Sequence, residues 1–272
     1  MELLKGIPEA EYHGWNRMSA SALKTLDKST PLHLLAEREN RTDTPAFRVG
    51  RALHSLVLTP AAYELDFVVA PDIDRRTKAG KEEWEKFQGL ADGRTILTRD
   101  EATLVDEMRG GIMSHESARM LVEKCGTDTE ITLRGEWEGI PCKARIDGWI
   151  EEFGVIIDIK THSGLASPQE FSRAAYNFGY WTQFAFYREL MRRAGKEVTS
   201  VILIVVEKTP PHACLCAALN ADHLDVATAR LPGLIDQYRK FLDEPGTGWP
   251  DVVTEIYMPN WATNDMMAPT GE

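Results

Sequence analysis

The 272-residue sequence has no apolar run near the roughly 18 residues that cross a bilayer. Its opening, Met1-Glu2-Leu3-Leu4-Lys5-Gly6-Ile7-Pro8-Glu9, lacks the charged and apolar regions of a signal peptide. A soluble, cytoplasmic protein with no membrane partner is expected. Cysteine is scarce: Cys125, Cys142, Cys214 and Cys216 are too scattered for a paired Cys-x-x-Cys zinc site, and four in this length make no disulfide scaffold. An iron–sulfur cluster, which needs four converging thiolates, is disfavoured for the same reason. There is no Gly-x-x-x-x-Gly-Lys-Ser/Thr loop to cradle a nucleoside triphosphate. A general basic excess is missing too. The formal net charge is −11, with residues 1–120 carrying 17 basic and 20 acidic side chains and residues 121–272 carrying 14 and 22. Contact with a polyanion would therefore have to be local, whereas the acid-rich second half suits a cation-binding centre.

What is present is an ordinary globular composition, 43% hydrophobic and 27% charged, without a long linker or internal repeat. One domain over residues 1–272 is expected: a mainly helical part over 1–120, a sheet core over 128–219, and a final helix and tail over 220–272. Ser19 caps a helix through Leu23 and Leu26, and Thr30-Pro31, Thr44-Pro45 and Thr59-Pro60 each pair an N-cap with a proline at the first helical position. A short strand at Phe67-Val68-Val69-Ala70 precedes a basic cluster, Arg75, Arg76, Lys78 and Lys81, which opens a helix at Thr77. Another capped helix runs from about Arg99 to Met113.

From residue 128 the pattern becomes β-rich: Glu130 to Trp137, Ile140 to Ile150 and Phe153 to Thr161. Helical periodicity returns over Ser167 to Arg193, followed by strands at Val201–Val206 and Ala213–Leu219 and a helix from Ala221 to Leu242. The tail contains Trp249-Pro250 and Pro259-Asn260-Trp261. Strands wrapped by helices define a mixed α/β or α+β domain around one central sheet.

Glu138-Gly139 is a two-residue hairpin turn, and a second turn centres between Glu152 and Phe153. Those registers place Glu130 opposite Asp147 and Asp147 opposite Asp158, a row of three carboxylates, with Lys160, Arg145 and Thr132 as a bordering row. Like charges directly opposed in a ladder repel, so a cation is expected among them. Oxygen ligands without cysteine favour a hard ion, Mg²⁺ or Mn²⁺. The plain alternative is a solvent-facing sheet with ordinary acids, since Asp-x-Lys alone is common.

Arg145-Ile146-Asp147-Gly148 followed by Asp158-Ile159-Lys160-Thr161 resembles the PD-(D/E)xK nuclease signature in its RecB/lambda-exonuclease-like branch. Met18-Ser19-Ala20-Ser21-Ala22-Leu23, Gly50-Arg51-Ala52-Leu53-His54, and Val69-Ala70-Pro71 running into Arg75 to Glu83 are similar to RecE-type (exonuclease VIII) domains. The resemblance extends from about residue 18 to residue 187. It implies a restriction-endonuclease-like fold. It also implies that His54, Asp147 and Asp158 hold the divalent metal with help from the Ile159 carbonyl, that Glu130 is a further acid, and that Lys160 serves the attacking water. Gln183 and Tyr187 match the Gln-x-x-x-Tyr pattern of these nucleases and share one helical face. Ser21, with Arg17 beside it, resembles a reader of the 5′ phosphate. Arg48, Arg51, Arg75, Arg76, Lys78 and Lys81 would contact DNA.

The activity implied is Mg²⁺-dependent 5′→3′ exonuclease digestion of double-stranded DNA ends, leaving 3′ tails for recombination. The implied partners are a ring-like homo-oligomer, trimer or tetramer, and a single-strand annealing recombinase of RecT type. The alternatives are a structure-specific endonuclease of the same superfamily and a non-catalytic DNA-end-binding module.

Overall fold

The computed structural model describes residues 1–40 and 43–258; the predicted Pro259-Asn260-Trp261 part of the tail lies outside them. A first strand β1 (Glu2–Leu4) and a short helix α1 (Glu9–Gly14) lead to the helices α2 (Ala20–Lys28), α3 (Pro31–Glu39), α4 (Pro45–Leu58) and α5 (Pro60–Asp66). Ser19 and Thr44 accept capping hydrogen bonds from the Ala22 and Phe47 backbones, so two of the four expected caps form in full. At Thr30 the hydroxyl instead meets His33 Nδ1 at 2.8 Å. Strand β2 (Phe67–Val69) pairs in parallel with β3 (Thr95–Leu97) on either side of α6 (Lys78–Ala91), forming a two-stranded satellite. Helices α7 (Arg99–Ser114) and α8 (Glu116–Cys125) follow, α7 opened by a capping box between Thr98 and Glu101.

The central sheet comprises β1 with β4 (Thr129–Trp137), β5 (Ile140–Ile150), β6 (Val155–His162), β7 (Ser200–Glu207) and β8 (Cys214–Ala218). Its spatial order is β1-β4-β5-β6-β7-β8, antiparallel throughout except for the parallel β6–β7 pair. Helices α9 (Pro168–Asn177) and α10 (Tyr180–Arg193) make the β6–β7 crossover, and α11 (Ala221–Asp243) closes the domain.

Two apolar cores lie on the two faces of the sheet. Leu23, Leu133, Ile156, Phe184, Leu203 and Leu231 belong to the one covered by α2, α10 and α11. Leu53, Met108, Leu121, Ile157, Ile159 and Ile204 belong to the one covered by α4, α7 and α8. Strand β6 alternates between them, so Ile157 and Ile159 point one way while Ile156, Asp158 and Lys160 point the other, toward α10.

Both expected hairpin registers are present, but the continuous rows of side chains are not. Thr129 pairs with Gly148 and Ile131 with Ile146, yet Glu130 between them sits at φ 51°, in the left-handed region, and leaves the ladder. Pairing of β5 with β6 covers only Ile150–Val155, Trp149–Ile156 and Gly148–Ile157. Beyond that point the strands part, so Asp147 is not laddered to Asp158. Arg145 pairs with Thr132 alone, while Lys160 lies beside Val205 of β7. The predicted Lys160–Arg145–Thr132 row is therefore broken. Two opposed buried carboxylates repel, and parting the strands relieves that contact while keeping both acids near one centre.

Candidate metal-dependent active site

Asp147 occupies the fork. Its Oδ2 accepts the Ile159 backbone N–H at 2.9 Å, a bond that replaces the lost ladder, and lies 3.0 Å from His54 Nδ1. His54 Nε2 meets the Ile159 carbonyl at 2.8 Å, so α4 is tied to both strands through one imidazole. Ligand atoms of His54, Glu130 and Asp147 all lie within 4.8 Å of one another. The left-handed turn at Glu130 thus re-aims its carboxylate into the same centre.

Asp158 stands on the α10 side, 2% exposed. Its Oδ1 accepts from Gln183 Nε2 at 3.3 Å, and its Oδ2 is ion-paired with Lys160 Nζ. Oδ2 has no aligned hydrogen-bond donor among the described residues. Three converging ligand atoms of oxygen and imidazole type, without a cysteine, fit a hard divalent cation. His54, Glu130 and Asp147 would hold it, with Asp158 and the Ile159 carbonyl adjacent.

The electrostatics agree with a site built around positive charge. Burial opposes the His54 imidazolium, but the Asp147 carboxylate, assisted by Asp158, outweighs it and pushes His54 up to about 9. Burial would likewise raise Asp147, yet His54 and Lys160 hold it below the usual carboxylate range. Glu130 and Asp158 shift upward, each through burial first and the Asp147 charge second. Lys160 is raised because the Asp158 and Asp147 charges overcome its own burial. Its ammonium also lies 4.9 Å from the Tyr180 ring centre and 5.7 Å from that of Phe184.

Gly148 sits at the last paired position before the fork, where β5 is tightly packed. A Cβ there would stand 2.6 Å from Ile157 Cγ1 and 2.8 Å from Cys125 Sγ, so α8 can press against β5 only because this residue has no side chain.

The other predicted residues fall into three groups. Gln183 and Tyr187 are brought to the site and buried there: Gln183 Nε2 bridges Asp158 and the Tyr187 hydroxyl, and Tyr187 is 8% exposed. Arg48 is held by Glu101 and Asp43, Arg51 by Glu9 and Asp43, and Arg17 by the Gly135 carbonyl. Ser21 is exposed on α2. Arg75, Arg76, Lys78 and Lys81 are exposed at the α6 N-terminus, Arg75 lying over the Trp84 ring and Arg76 paired with Asp74.

The sequence reading missed Lys24 and Tyr180. Lys24 Nζ donates to Gln183 Oε1 at 3.2 Å and stands 5.8 Å from the Tyr180 ring centre. Only the position of Lys24 one turn after Ser21, within a segment already singled out, could have pointed to it.

Fold and site together define a PDDEXK-like domain with a restriction-endonuclease-like core. Residues 19–252 match the family described as a PDDEXK-like domain of unknown function (DUF3799), and the chain belongs to that family. Among solved structures, a protein from Eubacterium rectale described as an exonuclease is 14% identical, with 97% of this chain and 99% of that one aligned at a TM-score of 0.58. A phage-related exonuclease from Haemophilus somnus is 16% identical over 84% of this chain and 96% of that one, with a TM-score of 0.35. No match is found among curated proteins.

Proposed function

We propose that this chain is a Mg²⁺-dependent nuclease that digests double-stranded DNA from its ends in the 5′→3′ direction. The convergence of His54, Glu130 and Asp147 beside the Asp158–Lys160 ion pair is the observation that carries the proposal. A divalent ion in such a site neutralises phosphate charge and lowers the pKa of water. The protein's own groups do the rest. Asp147 fixes the imidazole and the Ile159 backbone, Gln183 orients Asp158, and Lys160 presents a positioned ammonium to the charge that develops at phosphorus.

Exonuclease action and polarity rest on the RecE-type resemblance of the segments around Ser21, His54 and Arg75, in which Ser21 reads the 5′ phosphate. A ring-like homo-oligomer and an annealing-protein partner belong to the same reading. The test uses linear duplexes labelled separately at the 5′ and 3′ ends, with Mg²⁺ and with EDTA. Release of the 5′ label as mononucleotide in Mg²⁺ alone supports the proposal. Internal cuts favour a structure-specific endonuclease, and binding without any cutting defines an end-binding module.

A further inference from the structure

On the α10 side of the site the Asp158–Lys160 pair continues into a line of aromatic rings that reaches solvent. Lys160 Nζ lies 4.9 Å from the Tyr180 ring centre. Tyr180 stacks on Phe178 with centroids 5.8 Å apart and planes 28° apart. Phe178 is 60% exposed, and Tyr176, two residues earlier, is 68% exposed. What sets these two rings apart from other exposed rings of the chain is that they sit on the turn leading into α10, which packs Tyr180 against Lys160.

The turn that carries these rings is held rigidly. The Lys28 ammonium bonds the Tyr176 and Asn177 carbonyls at the end of α9, and it lies 5.6 Å from the Tyr176 ring centre. Gly179 adopts φ 67° to start α10 directly after Phe178, and a Cβ there would approach Lys24 Cγ at 3.0 Å. Two α2 lysines thus border the rings. The nearest acid on α2, Asp27, is already engaged by Arg230 and Thr182. The patch therefore presents exposed π-faces bordered by two ammonium groups whose hydrogen-bond partners, the Gln183 amide and two backbone carbonyls, are neutral and leave their charge unanswered, in a protein whose net charge is −11.

Alternating rings and ammonium groups fit single-stranded nucleic acid, whose bases stack and whose phosphates pair with lysine. A paired duplex keeps its bases inside the stack and offers no face to Tyr176 or Phe178. We infer that Tyr176 and Phe178, flanked by Lys24 and Lys28, form a stacking platform for unpaired DNA nucleotides next to the cleaved bond. This inference rests on the nuclease reading above and adds that the strand engaged at the site is unpaired there. Double-stranded DNA would have to open at its end before cleavage, and the platform would stabilise the opened form.

The experiment places 2-aminopurine at the terminal positions of a dT oligonucleotide and of one strand of a blunt duplex. Fluorescence quenching and affinity are measured in Ca²⁺, and initial cleavage rates in Mg²⁺. Stacking by the wild-type protein quenches the probe. Phe178→Ala, Phe178→Leu and Tyr176→Ala lose the quenching and weaken oligonucleotide binding by about 5- to 150-fold per lost ring, the range expected for one base–aromatic stack. Phe178→Trp and Tyr176→Phe, which keep a π-face, retain both properties. A protein that cleaves DNA but shows equal affinity and quenching in Phe178→Ala, Phe178→Leu and wild type overturns the platform and leaves the nuclease reading intact. Quenching without cleavage supports the platform and rejects the nuclease. Neither binding nor cleavage in the wild type rejects both.

Discussion

Asp147 Oδ2 takes the Ile159 backbone N–H at 2.9 Å at the level where β5 and β6 separate, so one carboxylate is at once a structural clasp and a member of the metal-type cluster. Asp158, the other acid of the signature, clasps no backbone and instead anchors the Gln183 amide and the Lys160 ammonium. The two positions should therefore lose stability for different reasons while agreeing in activity. Asp147→Ala leaves the Ile159 N–H and His54 Nδ1 without their partner and should cost about 1–3 kcal/mol, the usual result of orphaning a buried donor. Asp158→Asn relieves the repulsion from Asp147 and keeps an oxygen for Gln183 but leaves the buried Lys160 ammonium without its carboxylate, so it should lower the melting temperature in EDTA, and adding Lys160→Met should recover part of that loss. Both variants should be inactive in Mg²⁺. A melting temperature of Asp147→Ala equal to that of the wild type would show that the clasp contributes nothing.

Gly148→Ala should destabilise the fork by packing alone. The added methyl would stand 2.6 Å from Ile157 Cγ1, well inside contact distance, and relief requires β5 or α8 to move. Overpacking of this kind typically costs about 1–3 kcal/mol. Because Cys125 Sγ, at 2.8 Å, is the other obstacle, Cys125→Ala in the same chain should recover part of the loss. A double-mutant cycle on melting temperatures measures that coupling, and strict additivity would place the strain elsewhere.

Much of the architecture follows from local signals. The Glu138-Gly139 turn has both residues at positive φ, 51° and 79°, as a tight two-residue hairpin requires, and the register it sets is the one observed. The second turn closes through a 3₁₀ segment, Glu151–Phe153, and Gly154 at φ 63°, again with the expected register. What sequence pattern could not carry is the point where a ladder stops. Nothing in the alternation of residues 140–162 says that pairing ends at Gly148 and Ile157, because that depends on charge repulsion and on the competing bond from Asp147. The strands β1 and β3 are three residues each, too short for a period-2 signal. Helix α8 starts at His115, whose ring accepts the Ala118 N–H; histidine is an uncommon cap and gives a weak stop-and-start signal. Partner choice was equally invisible. Arg48 reads as a free cation beside His54 until α7 brings Glu101 against it.

That Arg48–Glu101 pair gives a pH-dependent prediction. Both side chains are largely buried, at 21% and 13% exposure, and Glu101 also completes the α7 capping box. Burial would raise the Glu101 carboxyl, but the bonds from Arg48, supported by Thr98, hold it below its ordinary value. A carboxyl depressed in the folded state adds stability above its unfolded pKa and loses it as pH falls through the folded value. Glu101→Gln retains a capping side chain but no charge, so it should cost about 1 kcal/mol at pH 7, or roughly 2–4 °C. The difference from wild type should begin to shrink below about pH 4.3, the ordinary unfolded value, and close only as pH falls through the lower folded value. Thermal melts from pH 7 down to pH 2 test this, and a gap that stays constant over that whole range would mean that the glutamate acts through shape and not charge.

The last prediction separates cations that are already paired from those available to a phosphate backbone. Arg48 is engaged by two acids, whereas Arg75 lies exposed over the Trp84 ring at 4.6 Å and Lys78 and Lys81 are exposed beside it. Arg76 is an intermediate case, since Asp74 holds it at 2.9 Å while leaving it open to solvent. If the α6 N-terminus tracks DNA, Arg75→Ala, Lys78→Ala and Lys81→Ala should weaken duplex binding alike for all sequences. Each lost phosphate contact should flatten the slope of log K against log salt by roughly 0.9. Arg76→Ala should flatten it less, because its charge is partly answered by Asp74. Arg48→Ala should leave the slope unchanged and lower the melting temperature, since its contacts are internal. Binding titrations of one duplex from low to moderate salt decide the matter: an unchanged slope in the Arg75, Lys78 and Lys81 variants removes this cluster from the DNA path, and a flattened slope in Arg48→Ala would mean that Glu101 releases the arginine when DNA arrives.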